Sequence, residues 1–239
     1  MKAATSLFLL VVLLQGCSHR PSRPASSVPA GSLLTEVSGG KQIGAAGTEL
    51  DQPIVVQVND KQGTAVAGAP VTLSGAPGVV FTPASGVTDA SGQFTATVRL
   101  GETSGRYVLA AATYDAQGNP INLKLDEVAL GWQQSRGRDL AHNSCDRCHE
   151  SESTAERVSN HDNLDPKPHA FSEGEALNRF SDADLTNLIT HGGPALGKSA
   201  EMPPFGNTLS KSDIESVVSY MRAVADPPFR NPGVVYAQK

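Results

Sequence analysis

The chain has 239 residues, of which 19 are Lys or Arg and 24 are Asp or Glu, giving a formal net charge of −5. A chain of this length accommodates one or two domains. The mildly acidic balance and the absence of a basic stretch argue against a nucleic-acid-binding protein. Aromatic residues make up only 5% of the chain, so we expect no single large aromatic core.

Residues 1–16 have the pattern of an export signal. Lys2 supplies a positive charge, and Leu7 to Leu14 form an apolar run that is too short to span a bilayer. The run closes with the sequence LQGC, which resembles the lipobox of bacterial lipoproteins. That resemblance implies that Cys17 is lipidated and that its acyl chains anchor the protein to a membrane. The alternative is an ordinary signal peptide with an unrelated cysteine.

Residues 17–32 are rich in Pro, Ser and Ala, and we interpret them as a flexible tether between the anchor and the first domain. Ser18, directly after the lipobox cysteine, resembles the residue found in lipoproteins sorted to an outer membrane. The resemblance therefore implies a protein of the bacterial cell envelope, anchored in the outer membrane. It leaves open whether the protein faces the periplasm or the cell surface.

Residues 33–130 show the two-residue period of half-buried strands. Phe94, Ala96, Val98 and Leu100 alternate with polar side chains. Further runs of this kind are separated by turn sequences such as DKQG and DASG, and they cover 54–58, 70–73, 106–113 and 121–125. Regularly spaced short strands of this kind predict a β-sandwich.

The segments GAPVTLS, TDASGQFTATV and GRYVLAA resemble the bacterial Ig-like domains of the invasin and intimin type. The resemblance implies an Ig-like sandwich whose role is that of a spacer or an interaction module. Tyr107 is a candidate for the tyrosine corner of such sandwiches, and a plain cross-strand aromatic is the alternative.

The sequence Cys145-Asp146-Arg147-Cys148-His149 has the C-x-x-C-H spacing of a covalent c-type haem site. Two thiols three positions apart can add to the two vinyl groups of one porphyrin, and the adjacent imidazole can bind the iron. The alternative is half of a zinc site, which would need further Cys or His ligands at similar spacing. The one remaining cysteine, Cys17, is far away in sequence.

Helical periodicity follows the haem motif. Ser181 and Ser210 are predicted N-caps of two helices, which we expect to end at Gly192 and before Pro227. The second helix carries an apolar face, formed by Ile214, Val217, Val218, Met221 and Val224.

Residues 131–226 resemble a class I c-type cytochrome, an all-α domain with one covalently bound haem c. The resemblance rests on C-x-x-C-H, on LDPKPHAF ending at Phe171, and on MPPFG beginning at Met202. It implies haem attachment through Cys145 and Cys148, and iron ligation by His149 and Met202. It also places a backbone acceptor for the His149 ring within Pro166–Pro168.

Four other histidines are rivals of Met202 for the sixth iron ligand, namely His142, His161, His169 and His191. Met202 is favoured because Pro203 and Pro204 stiffen its loop, and because Met with His is the ligand pair of cytochromes c. As an alternative, Met202 could be a core methionine that fills a gap.

The sequence therefore predicts an exported, lipid-anchored protein in which an Ig-like sandwich is followed by a monohaem cytochrome c domain. The expected function is one-electron transfer between redox partner proteins, without an enzymatic reaction or a small-molecule substrate. One alternative is a haem-based sensor or peroxidase-like enzyme with a labile Met202. Another is a surface adhesion protein with a redox appendage. The predicted tail, residues 227–239, carries no readable function.

Overall fold

The computed structural model describes residues 29–149 and 159–230. The predicted signal (1–16), Cys17, most of the predicted tether (18–28) and most of the predicted tail (231–239) lie outside the described residues. The strands are β1 (Leu33–Ser38), β2 (Ile43–Ala45), β3 (Ile54–Asn59), β4 (Pro70–Ser74), β5 (Val80–Thr82), β6 (Ser85–Val87), β7 (Gln93–Arg99), β8 (Gly105–Tyr114) and β9 (Pro120–Leu130). The helices are α1 (Trp132–Ser144), α2 (Asp146–His149), α3 (Gly174–Leu177), α4 (Asp182–His191) and α5 (Lys211–Val224).

The strands form two sheets that pack as a sandwich. One sheet has the order β1-β3-β7-β5 and the other has the order β2-β9-β8-β4-β6. All strand pairs are antiparallel except β2 with β9. The predicted Ig-like β-sandwich followed by a helical domain is confirmed.

The interior of the sandwich is made by alternate residues of its strands. Val56 and Val58 of β3, Val98 of β7 and Ala111 of β8 are all 0% exposed. Such alternation places one apolar row per strand in the core, and each fully buried Val stabilises the fold by roughly 1.5–3 kcal/mol.

Tyr107 lies at the start of β8 with its ring buried. Its hydroxyl donates a hydrogen bond to the backbone carbonyl of Thr103 at 2.7 Å. A tyrosine bonded to the backbone a few residues upstream is a tyrosine corner, so the first of the two interpretations of Tyr107 is correct.

Strand β9 borders both halves of the molecule. Leu125 and Ala129 belong to the sandwich core, whereas Val128 and Leu130 belong to a second apolar core formed with the helices. Opposite faces of one strand are therefore buried by different partners. We call residues 131–149 and 159–230 the helical half, and its first helix begins only two positions after β9 ends.

Both predicted serine N-caps are present. Ser181 accepts a hydrogen bond from the Asp184 amide at 3.1 Å, and Ser210 accepts one from the Asp213 amide at 3.2 Å. In each case the serine amide donates a hydrogen bond to the Asp carboxylate, which completes a capping box. All five predicted apolar residues of α5 are buried.

Helices α1 and α5 cross at Gly137. A Cβ at this position would overlap the backbone carbonyl of Ser216 and would lie 2.9 Å from Cβ of Tyr220. The crossing therefore requires glycine, and it sets the direction in which α1 delivers the haem motif. Among the described residues, none of the helices is long and apolar enough to cross a membrane.

Candidate functional site

The C-x-x-C-H motif lies at the carboxyl end of α1. Cys145 caps α1 by donating its amide hydrogen bond to the Ala141 carbonyl at 2.7 Å. The amides of Cys148 and His149 both donate to the Cys145 carbonyl, at 2.9 and 3.0 Å. This turn holds both thiols and the imidazole at one helix end, and neither cysteine is in a disulfide.

The Cys145 side chain is partly buried at the end of α1. Burial raises the pKa of its thiol to about 12, and the charges of Asp146 and Cys148 add to the shift. A complete zinc site needs further Cys or His ligands, and the described residues contain no group of three His, Cys, Asp or Glu side chains that could hold a metal ion.

The ring of His149 is oriented by a backbone carbonyl. Its Nδ1 lies 2.7 Å from the carbonyl oxygen of His169. A carbonyl can only accept, so Nδ1 carries the proton and Nε2 is the nitrogen suited to a metal. Burial lowers the pKa of His149, although the hydrogen bond to His169 opposes that shift. A neutral imidazole is the form that binds metals.

The predicted acceptor range, Pro166–Pro168, was wrong by one residue. The Pro168 carbonyl is already occupied, because Nε2 of His161 lies 3.1 Å from it. The next carbonyl, that of His169, is the one that faces His149. Sequence alone could not separate these neighbours, since the choice depends on the position of His161.

Phe171, the last residue of the LDPKPHAF motif, packs directly on His149. Their ring centroids are 5.0 Å apart with an interplanar angle of 27°. Tyr220 of α5 then meets Phe171 edge-on, with centroids 6.2 Å apart. Aromatic pairs at these separations are favourable beyond the area they bury, so this row of rings fixes His149 from the side of α5.

Glu173 was not singled out from the sequence, yet its carboxylate binds both His169 and Ala170, which precede Phe171. One carboxylate oxygen accepts from Nδ1 of His169 at 2.7 Å, and the other accepts from the Ala170 amide at 3.3 Å. The bond from His169 is the main cause of the lowered pKa of Glu173. A Glu four residues after a His is too common a pattern to have revealed this role.

Met202 lies on a loop that is tied to the end of α4. The Gly193 amide donates to the Met202 carbonyl at 3.0 Å, and the Phe205 amide donates to the Ile189 carbonyl at 2.9 Å. Gly192 has a φ of 83°, and a Cβ there would lie 2.8 Å from the Met202 carbonyl oxygen. The loop therefore depends on this glycine, and the half-buried Met202 packs against the helical core.

The rival histidines occupy other positions. Nδ1 of His142 contacts the carboxylate of Asp146, and His191 is exposed in the last turn of α4. His161 and His169 hold Pro168 and Glu173 respectively. Their ring contacts support the segment beside His149.

The donor set fits a covalently bound haem. Cys145 and Met202 pack against the same apolar core, and His149 contacts Phe171 of that core. Two thiols, one oriented imidazole and one thioether in apolar surroundings are the groups that a haem c with His and Met ligands requires.

Comparisons with known proteins gave one family match and several structural similarities. Residues 133–221 match the family described as cytochrome c oxidase, cbb3-type, subunit III. The D0-D1 domain of intimin is 22% identical with a TM-score of 0.33, over 43% of this chain and 49% of that one. Invasin, a bacterial integrin-binding protein, is 22% identical with a TM-score of 0.32, over 41% of this chain and 19% of that one.

The D00-D0 domain of intimin is 19% identical with a TM-score of 0.32, over 46% of this chain and 51% of that one. This chain thus spans about half the length of the intimin fragments that it matches. No curated protein matched the chain. Residues 133–221 are a cytochrome c domain of the cbb3-type oxidase subunit III family, and they follow an Ig-like β-sandwich in the same chain.

Proposed function

We propose that this protein is an exported, lipid-anchored monohaem cytochrome that carries single electrons between redox partner proteins. The observation that supports this most strongly is the His149 ring, whose Nδ1 is held by the His169 carbonyl so that Nε2 is the metal-binding nitrogen. The cytochrome c domain itself implies electron transfer and covalent haem c.

In this proposal Cys145 and Cys148 would hold the haem through thioether bonds, and His149 and Met202 would be the ligands of its iron. When bound, haem c supplies a one-electron iron couple, and thioether ligation with apolar surroundings raises its potential. The chain contributes orientation: the His169 carbonyl and Phe171 fix the imidazole, and the α4-tied loop fixes Met202.

A carrier needs a closed iron site and no substrate pocket. The proposed Met202 ligand closes the site, so we class the protein as a carrier and not an enzyme. The lipid anchor at Cys17 and the cell-envelope location are proposals from the lipobox. In the same proposal the sandwich holds the cytochrome domain away from the membrane or binds a partner.

A reduced-minus-oxidised spectrum of protein matured with haem-ligation machinery tests the proposal. We expect one covalently bound haem per chain and a thioether-to-iron band in the oxidised form. A potentiometric titration of the same protein should give a positive midpoint potential. A midpoint well below zero against hydrogen would indicate two histidine ligands instead of Met202.

Carbon monoxide binding separates a carrier from a sensor or peroxidase-like enzyme. The native ferrous protein should bind carbon monoxide negligibly, whereas Met202→Ala should bind it readily and have a lower potential. Met221→Leu is the matched control, because Met221 is buried in α5 and should not affect the iron. Rapid binding by the unmutated protein would favour the sensor or enzyme.

Fractionation tests the anchor. Cys17→Ser should convert a membrane-bound protein into a soluble one, because the Pro- and Ser-rich tether offers little apolar surface to a bilayer. If the variant still sediments with membranes after a high-salt wash, the lipobox assignment is wrong or a bound partner retains the protein.

A further inference from the structure

The sandwich and the helical half are joined by more than the peptide chain. Besides the shared strand β9, two arginines donate hydrogen bonds across the junction to backbone carbonyls. Arg138 of α1 donates to the Ile43 carbonyl at 2.9 Å, and Arg106 of β8 donates to the Ala225 carbonyl. Both are bonds from a guanidinium to a backbone carbonyl, but they involve different parts of the helical half. The Arg138 bond involves α1, and the Arg106 bond involves the end of α5.

Arg106 reaches the carboxyl end of α5. Ala225 is the residue that caps this helix, and its carbonyl continues the row of acceptors left at the helix end. A guanidinium at this position satisfies one such acceptor and interacts favourably with the negative end of the helix. Arg106 therefore fixes the end of α5 relative to β8.

The residue after Ala225 is bonded to the segment beside His149. The Asp226 amide donates to the Ser172 carbonyl at 2.7 Å, and the Gly174 amide donates to the Asp226 carbonyl at 3.0 Å. A Cβ on Gly174 would lie 2.8 Å from the Asp226 carbonyl carbon, so these two segments are in tight contact. The end of α5 is therefore joined to residues 172–174 by two backbone hydrogen bonds.

The same segment supplies all the described contacts that orient the His149 ring. The His169 carbonyl accepts from Nδ1, Phe171 stacks on the ring, and Glu173 holds both His169 and Ala170. Each link between Arg106 and His149 is thus a hydrogen bond, a backbone connection or a ring contact.

We propose that Arg106, a residue of the Ig-like sandwich, is a positioning residue for the haem ligand His149. It acts through Ala225, Asp226 and residues 169–174. The proposal rests on the proposed haem ligation by His149. It gives the sandwich a role that a spacer would not have, because the sandwich braces the side of the cytochrome domain that carries the histidine ligand.

Hydrogen exchange in the reduced, haem-loaded full chain tests this role. In Arg106→Gln, the Nδ1 proton of His149 and the amides of Gly174 and Asp226 should exchange roughly threefold to tenfold faster, because each opens when the brace is lost. Arg106→Lys should restore much of the protection, since a lysine can also donate to the Ala225 carbonyl.

Arg138→Gln is the matched control, because it removes the other bond across the junction. It should leave the exchange of these three protons unchanged. Equal acceleration in both glutamine variants would mean that the junction merely loosens and would overturn the positioning role. Unchanged exchange in Arg106→Gln would overturn it as well.

A double substitution tests the route itself. Arg106→Gln combined with Glu173→Gln should accelerate exchange of the Nδ1 proton by less than the product of the single effects, because both changes release one segment. A full product would show that Arg106 and Glu173 act independently, contrary to the proposal. Absence of covalent haem in the unmutated protein would instead refute the proposed function, which separates the two failures.

Discussion

The two halves of the molecule are stabilised in different ways. The sandwich closes its own core, in which Val56, Val58, Val98 and Ala111 are fully buried between the two sheets. In the helical half, Cys145 and Met202 lie at the margin of the core and are only partly buried. The sandwich core is therefore closed by its own side chains, whereas in the proposed function the haem would complete the core of the helical half.

One arginine makes several polar contacts in the helical half. Arg222 of α5 is only 10% exposed and donates to the carboxylate of Asp182 and to the carbonyls of Leu177 and Phe180, at 2.8, 3.2 and 2.5 Å. The Phe229 ring covers the guanidinium, 3.8 Å from its centre. One side chain thus joins α3, α4 and α5 to the segment that follows α5.

Removing the haem attachment should give the largest difference in resistance to proteolysis between the two halves. Replacing Cys145 and Cys148 with Ala should abolish covalent haem and leave the helical half open to proteolysis, because a small domain buries little apolar surface unaided. The sandwich should survive as a protected fragment. Limited proteolysis with mass spectrometry measures both outcomes.

The control is Met202→Ala, which keeps both attachment cysteines and should keep the helical half protected. Digestion of both halves at one rate in the cysteine variant would mean that the shared strand β9 makes the chain a single folding unit.

The next largest effect concerns Glu127, a buried carboxyl in the sandwich. It is 0% exposed, and its Oε2 accepts from the Gln42 amide at 2.6 Å, while its Oε1 has no hydrogen-bond partner among the described residues. Burial raises its pKa to about 7; the Gln42 bond opposes this, and the charges of Glu36 and Asp126 add to it.

Because the folded pKa lies above the unfolded value, the unfolded chain releases this proton first as pH rises. The free energy of unfolding of the sandwich should therefore fall by about 3 kcal/mol between pH 4.5 and 7. Glu127→Gln should remove that decline, as measured by urea unfolding at a series of pH values. Glu102→Gln, at an exposed site, should preserve it.

A smaller effect is expected at Gly137, where α1 crosses α5. Gly137→Ala should destabilise the helical half by about 2 kcal/mol, because the new methyl group overlaps the Ser216 carbonyl. This outweighs the gain in helix propensity. Gly118→Ala, in the β8–β9 turn, meets no atom within 4 Å but has a φ of 84°. It should cost the sandwich about 1 kcal/mol, so domain-resolved thermal unfolding should separate the two variants.

Local patterns predicted several of the longer elements in each half. The two-residue period located β3, β4, β7 and β8, and the serine caps located α4 and α5. The prediction for β9 stopped at Leu125, whereas the strand continues to Leu130. The alternation ends there because Glu127 and Ala129 face the sandwich while Val128 and Leu130 face the helices, so four consecutive residues are buried.

The contacts between the halves could not be predicted, because they join residues that are distant in sequence. Nothing local to Arg106 indicates the Ala225 carbonyl, which lies 119 positions later in the chain. The proposed site residues were found because they occur in short motifs, whereas His161 and Glu173 act through tertiary contacts. Motifs identify groups that do chemistry, and the fold decides which groups hold them in place.

The smallest expected effect is at the N-cap of α5. Ser210→Ala should destabilise the helical half by about 1 kcal/mol, because the Asp213 amide loses its acceptor.

The hydrogen bond from Ser210 is the main cause of the lowered pKa of Asp213, and Arg136 contributes further. A carboxyl whose pKa is lowered by folding stabilises the fold at pH values above its pKa in the unfolded chain. That stabilisation is lost as the pH falls through the pKa of the folded state. The penalty of Ser210→Ala should therefore shrink in acid, and Ser210→Thr, which keeps the hydroxyl, should show little penalty at any pH. Thermal unfolding at neutral and acid pH measures this, and a penalty independent of pH would mean that Asp213 does not take part in the cap.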